Sequence, residues 1–167
     1  MTSLHAAHGH LPVDLRNALG RFATGVTIVT CVDARGIQVG LTVNSFGALS
    51  LDPPLVLWSL RTVSPSLTAF ASAKHFAVNV LGEAQLELSR RFASPVADKF
   101  AHGTWAEGLN GVPVLKAVAA VFECERHAQQ DVGDHALFIG HVLRFADGGL
   151  PPLVFHGSKY HSLGPAL

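Results

Sequence analysis

The chain has 167 residues, enough to bury one full core, with 12 basic and 12 acidic residues and a formal net charge of zero. That balance, with no basic stripe interleaved with aromatic residues, argues against a nucleic-acid partner. Charged residues make up 14% and hydrophobic residues 49%, against roughly 25% charged in ordinary soluble domains, so exposed apolar area covered by a second copy, a homodimer, is expected.

His5, His8 and His10 precede any periodic pattern, beside Gly9 and Pro12. A metal site is conceivable from imidazole spacing, but a disordered polar tail over residues 1–11 is the simpler reading, with one domain from 12 to 167. Leu15, Ala18, Leu19 and Phe22 fall at helical spacing, which predicts a short amphipathic helix over 12–22 packing on the strand that follows, Val26 to Val32. Asp33-Ala34-Arg35-Gly36 reads as a hairpin turn into a second strand, Ile37 to Val43.

The stretch from Gly40 to Leu57 then runs a strand-like alternation into short uncharged polar side chains and stops at Pro53-Pro54. Side chains alternate faces along a strand, so Thr42 and Asn44 share one face while Val43 and Ser45 share the other. Thr, Asn and Ser offer donors and acceptors without charge. They suit a neutral heterocycle with alternating carbonyls and ring nitrogens better than a phosphate or metal; a plain turn at Asn44-Ser45 explains the same residues. The two prolines cannot donate to a ladder, so the chain must leave the sheet edge or cross a gap there, before Leu55 to Leu60 returns as a buried strand.

Ser64-Pro65-Ser66 predicts a helix start with Ser64 as N-cap and Pro65 at the first helical position. Ordinary capping explains Ser64, and an anion held at the first turn with Arg61 nearby is the functional alternative. His75 to Leu81 is a further strand, and Glu83 to Ala93 a helix ending in Arg90-Arg91. Cations in a last turn are favourable at any helix C-terminus. Ala101 to Pro113 reads as an irregular surface loop, Val114 to Ala128 and Ala136 to Phe145 as long strands, and Leu153 to Phe155 as a short final one, with Tyr160-His161 closing the pattern. Many strands and few helices argue for a barrel or sandwich. Cys31 and Cys124 lie in apolar runs and read as buried reduced thiols. No signal-peptide pattern and no apolar span near the ~18 residues of a membrane helix is present, which predicts a cytoplasmic protein with no membrane partner.

Several ordered motifs resemble the short-chain flavin reductase family: Arg21 to Thr30, Gly40 to Phe46, Ser50 to Val56, Phe76 to Leu81, and Gly133-Asp134-His135 leading into Phe138-Ile139-Gly140. The resemblance spans nearly everything from Leu15 to Leu163 and says nothing of Met1 to His10. It implies a mainly β fold, the split β-barrel of FMN-binding type with a few short flanking helices, whose paired subunits build two cofactor sites at their contact. It implies an NAD(P)H:flavin oxidoreductase that reduces FMN or FAD and passes reduced flavin to a separate monooxygenase.

By the same resemblance the flavin is held by Thr42, Val43, Asn44, Ser45 and Ser50, by Ser59, Leu60 and Ser64, and by Arg91, Phe92, Ala93 and Ser94. Arg91 is the preferred phosphate residue because a guanidinium grips phosphate bidentately and stays charged, with Lys99 as the alternative. His135 is the one residue expected to act directly, contacting the nicotinamide or its diphosphate with Tyr160 lining the same groove. A lone His after a turn is otherwise polar surface. The cofactors carry the hydride chemistry, so no catalytic triad is required. No Gly-x-Gly-x-x-Gly opens a helix after a strand, so the donor would fold over the flavin in one groove; scarce clustered basic residues favour NADH over NADPH. FMN against FAD stays open. Competing readings are an FMN-binding electron carrier that uses no pyridine nucleotide, a reductase of another acceptor such as a corrinoid or metal chelate, and a small barrel binding metal through its histidines.

Overall fold

Residues 12–167 are described by the structure, a computed structural model; the expected polar tail lies outside them. The described residues form twelve strands and three short α-helices: α1 Pro12–Leu19, β1 Thr24–Gly25, β2 Thr27–Val32, β3 Gln38–Val43, β4 Gly47–Leu51, β5 Pro54–Arg61, α2 Leu67–Ser72, β6 His75–Val80, α3 Leu86–Ala93, β7 Trp105–Glu107, β8 Pro113–Leu115, β9 Ala120–Val132, β10 His135–Asp147, β11 Leu153–His156 and β12 Lys159–Ser162.

Seven of these form one sheet in the order β3-β2-β6-β9-β10-β5-β4, with every pair antiparallel. Laid flat, its two edges would be ~29 Å apart, six spacings of ~4.8 Å. Yet β3 and β4 are consecutive in the chain, and the steps through Asn44, Ser45 and Phe46 reach at most ~14 Å. The sheet must roll up. At the seam where the edges approach, a side chain ties the link to β5, in line with the Gly47–Leu57 pairing: Ser45 Oγ accepts from the Ser59 N–H at 3.0 Å and donates to the Ser59 carbonyl at 3.1 Å. This is the split barrel that the family resemblance implied.

Inside, Trp58 of β5 stacks on Phe138 of β10 at 4.5 Å with planes 11° apart, and Phe70 of α2 and Phe76 of β6 meet it edge-on. A second core lies outside the barrel wall, where Ile28, Leu81, Phe92, Leu115 and Leu153 are buried among α3, β8 and β11. Strand β2 faces both cores and is buried along Thr27 to Cys31, which is why it reads as an unbroken β-branched run. Buried Asn79 ties β6 to its neighbours, donating to the Ile28 carbonyl at 2.9 Å and accepting from the Leu115 N–H at 2.8 Å. The small sheet β1-β11-β12 and the hairpin β7-β8 flank the barrel. No helix among the described residues is long and apolar enough to cross a membrane.

Five local expectations are corrected. Helix α1 does not bury its stripe on β2, since Leu15, Leu19 and Phe22 are 54%, 66% and 79% exposed. Pro53-Pro54 neither leaves the sheet nor crosses a gap: it turns an edge hairpin in which Pro54 opens β5 opposite Leu51, and β4 is a strand the polar reading passed over. Helix α2 starts at Leu67 with Ser66 as its N-cap, while the Ser64 hydroxyl accepts from the Ser66 N–H at 3.3 Å; the hydroxyl stabilises the preceding turn rather than the helix. The segment over 101–113 is not wholly irregular, because Trp105 of β7 packs on Phe92 and Phe100. Strand β9 starts at Ala120 and runs on through Gln129-Gln130-Asp131, polar residues that pair with β10 though exposed.

Gly40 permits the close approach of α3, since a Cβ there would stand 2.7 Å from Phe92 Cε1 and 3.2 Å from Phe100 Cζ. Phe92 is 1% exposed and has nowhere to retreat. Gly40→Ala is expected to destabilise the fold by about 1–3 kcal/mol, read as a lowered urea midpoint at unchanged m. Gly25→Ala, where a Cβ meets nothing within 4 Å, serves as the control.

Candidate functional site

Outward-facing side chains near the end of β3 meet α3 and the β11-β12 hairpin. Thr42 Oγ1 donates to the Ser89 carbonyl in α3 at 2.6 Å. Val43 faces the barrel core, and its carbonyl accepts from Thr27 Oγ1 at 2.9 Å. With Ser45 spent on the seam, Asn44 is the member of the polar block whose side chain makes no hydrogen bond among the described residues. Thr42 and Asn44 share a cavity of about 140 Å³ with Val26, Ala93, Phe155 and Tyr160. Asn44 and Phe155 also border an adjoining cavity of about 280 Å³ beside Arg16, Leu19, Phe22 and Thr24. No charged side chain lines the first cavity.

The cations expected to hold phosphate lie beyond α3 in separate cavities. Arg91 donates through Nε to the Lys99 carbonyl at 3.2 Å and through Nη2 to the Asp98 carbonyl. Its cavity, about 600 Å³, also takes in Arg90, Ser94, His102 and Lys116. Lys99 donates to the Phe92 carbonyl at 2.9 Å and to the Gly40 carbonyl at 3.4 Å, and lines a cavity of about 400 Å³ with Ser66 rather than Ser64. Both cations keep free donors, for a guanidinium has five and an ammonium three. Leu60 and Phe92 are buried, so only their backbone can meet a ligand. Ser50 lies further along β4, opposite Leu55.

His135 opens β10 opposite Arg61 of β5. Its Nδ1 donates to Asp134 Oδ1 at 2.8 Å, and its side chain is 40% exposed. A carboxylate only accepts, so Nδ1 carries the proton and Nε2 is left without a partner among the described residues. That hydrogen bond is the main cause that holds the Asp134 carboxyl below its usual range, with the Arg61 charge adding to the effect. Ser59 and Arg61 lie on one face of β5, ~7 Å apart along the strand. The cavity of Thr42, Asn44 and Tyr160 does not take in His135, which stands at the end of the β5–β10 ladder, two pairs beyond Ser59. Burial pushes the Cys31 and Cys124 thiols up to about 12, leaving them as inert small hydrophobes. Among the described residues no three His, Cys, Asp or Glu side chains cluster as metal ligands.

Sequence reasoning passed over Ser89. It is 0% exposed in mid-helix, and its Oγ lies 3.0 Å from Tyr160 Oη. Its spacing three residues before Phe92, on the stripe that faces the core, was the signal available.

Residues 19–164 match the model of the flavin reductase like domain. The chain is 42% identical over 149 residues to the stachydrine N-demethylase reductase subunit of Rhizobium meliloti, covering 89% of this chain and 65% of that protein. It is 47% identical over 145 residues to the FMN reductase (NADH) of Agrobacterium fabrum, covering 87% and 82%. The solved NADH:FAD oxidoreductase of Streptomyces globisporus, in complex with NAD and FAD fragments, superposes with a TM-score of 0.90 at 31% identity, covering 98% of each chain. Two further curated relatives are about twice as long, the chain spanning 48% and 47% of them.

Burial with only carbonyl partners lowers Lys99 below its ordinary 10.5. The unfolded lysine keeps the ordinary value, so between the two the unfolded chain binds more protons, and rising pH across that window stabilises the fold. Urea unfolding of wild type and Lys99→Met at matched pH should show the wild type gaining stability relative to the variant as pH climbs towards 10.5.

Proposed function

This chain belongs to the flavin reductase like domain family, and on that premise we propose that it is an NADH-dependent reductase of FMN or FAD which hands reduced flavin to a separate oxygenase. The observation that carries the reading is the uncharged groove of Thr42, Asn44 and Tyr160 between walls of Ala93, Phe155 and Val26. It suits the polar edge of a neutral flat ring: the Asn44 amide offers both a donor and an acceptor, and Thr42 offers lone pairs. The relatives support it by name, one as an FMN reductase (NADH) and others as reductase components of flavin-dependent monooxygenases.

About 140 Å³ admits the edge of such a ligand, whereas whole-ligand pockets run to about 300–1,000 Å³. The remaining wall comes from a second copy. Leu19 and Phe22 stand exposed beside Asn44, with Leu15 exposed on the same helix, and burying them between two chains both forms a homodimer and deepens the groove. Residues 12–167 then act as one flavin reductase-like domain.

When bound, a reduced nicotinamide supplies the hydride and the flavin ring accepts it. The protein binds and orients: Asn44 and Thr42 hold the ring edge, while Lys99 with Ser66, or Arg91 with Ser94, meets the phosphate. His135, fixed in one tautomer by Asp134, presents Nε2 to the dinucleotide.

Loss of absorbance at the nicotinamide band, followed with NADH and added FMN, FAD or riboflavin, tests the reading. Turnover that depends on added flavin is expected; a yellow protein inert to NADH and NADPH contradicts it. Asn44→Ala should raise the flavin KM about tenfold, the worth of a lost hydrogen bond or two, and His135→Ala should raise the KM for NADH with the flavin KM unchanged.

A further inference from the structure

We infer that Ser89 is a positioning residue that sets the hydrogen-bond polarity of the groove, making Thr42 an acceptor and Tyr160 a donor towards the ligand. The inference rests on the flavin reading for the identity of that ligand, but its geometry does not. Ser89 lies in the middle of α3 with 0% exposure. It is a junction between the two sides of the groove: its carbonyl takes the Thr42 hydroxyl from β3 at 2.6 Å, and its Oγ meets Tyr160 Oη of β12 at 3.0 Å.

The direction of each proton follows from what else is in reach. Thr42 has one hydroxyl hydrogen, and the Ser89 carbonyl holds it. Thr42 can therefore show a ligand only lone pairs. Among the described residues Ser89 Oγ has no partner except Tyr160. Were Tyr160 to donate to Ser89, the Ser89 hydrogen would be buried with nothing to accept it, the arrangement folded proteins avoid. Ser89 therefore donates to Tyr160, and the phenolic hydrogen is turned out into the groove. A ring that fits presents a donor, such as an imide N–H, to Thr42 and an acceptor, such as a carbonyl or ring nitrogen, to Tyr160. Neither Thr42 nor Tyr160 alone encodes that order.

Tyr160 is the only tyrosine in the chain, so its Raman Fermi doublet reads this one phenol without labelling. The ratio of the two bands is high when the phenol oxygen accepts and low when its hydroxyl donates. In the ligand-free protein Ser89→Ala is expected to lower the ratio, and Ser89→Thr, which restores a hydroxyl, to return it towards wild type. A ratio that rises in Ser89→Ala, or does not move in a variant with native circular dichroism, overturns the inference. With FMN added, Ser89→Ala and Tyr160→Phe should each raise the dissociation constant about tenfold, and the double variant no further. Full additivity would overturn the coupling. Should wild type fail to bind FMN, the flavin reading falls while the Raman result still decides the role of Ser89.

Discussion

The constraint on which the architecture depends is the short link between the two edges of the seven-stranded sheet. Asn44, Ser45 and Phe46 join β3 to β4 across what would be the full width of an open sheet. Rolling up is the geometry that satisfies the chain, and the Ser45 hydroxyl ties the link to the β5 backbone there. The cost of a seam without a continuous ladder is offset by the aromatic cluster around Trp58 and by Phe46, which packs against Phe122 across the interior at 5.6 Å.

The same closure makes the candidate site. Residues forced to cross from one edge to the other turn short polar side chains outward, and α3 is brought against them because Gly40 leaves room for Phe92. Once α3 is seated, Ser89 can reach both Thr42 and Tyr160. Packing and polarity are thus one arrangement: the helix that completes the outer core also orders the hydrogens of the groove. On the far side of α3 the cations are spent partly on backbone carbonyls, which fixes the loop through Asp98 and Lys99 and leaves fewer donors for a ligand.

Much of this was legible in the residues. The β-branched run of β2, the turn at Asp33 to Gly36 and the strand from His75 stood out because burial and turn chemistry imprint strongly on local sequence. What was hidden depended on partners distant in the chain. Strand β4 has weak strand formers and exists because β5 pairs with it. The outer half of β9 is polar and pairs with β10 beyond the core. The apolar stripe of α1 predicted burial on β2, yet Leu15, Leu19 and Phe22 stand exposed; helical spacing marks an apolar face without naming what covers it. Among the site residues, Thr42, Asn44, Ala93 and Tyr160 line one cavity, while Arg91, Lys99 and His135 lie outside it. Ser45 serves the seam, and Ser89 escaped notice because a single buried serine leaves no periodic trace.

The central claim, that the outward face of Thr42 and Asn44 holds the polar edge of a flavin ring, is tested most directly by a crystal structure of the full chain grown with excess FMN. The account predicts the pyrimidine edge within hydrogen-bonding distance of the Asn44 amide and Thr42 Oγ1, with the ring walled by Phe155 and by residues of a second subunit. Density placing that edge in solvent, or the ring on the far side of α3 beside Arg90 and Lys116, would contradict it.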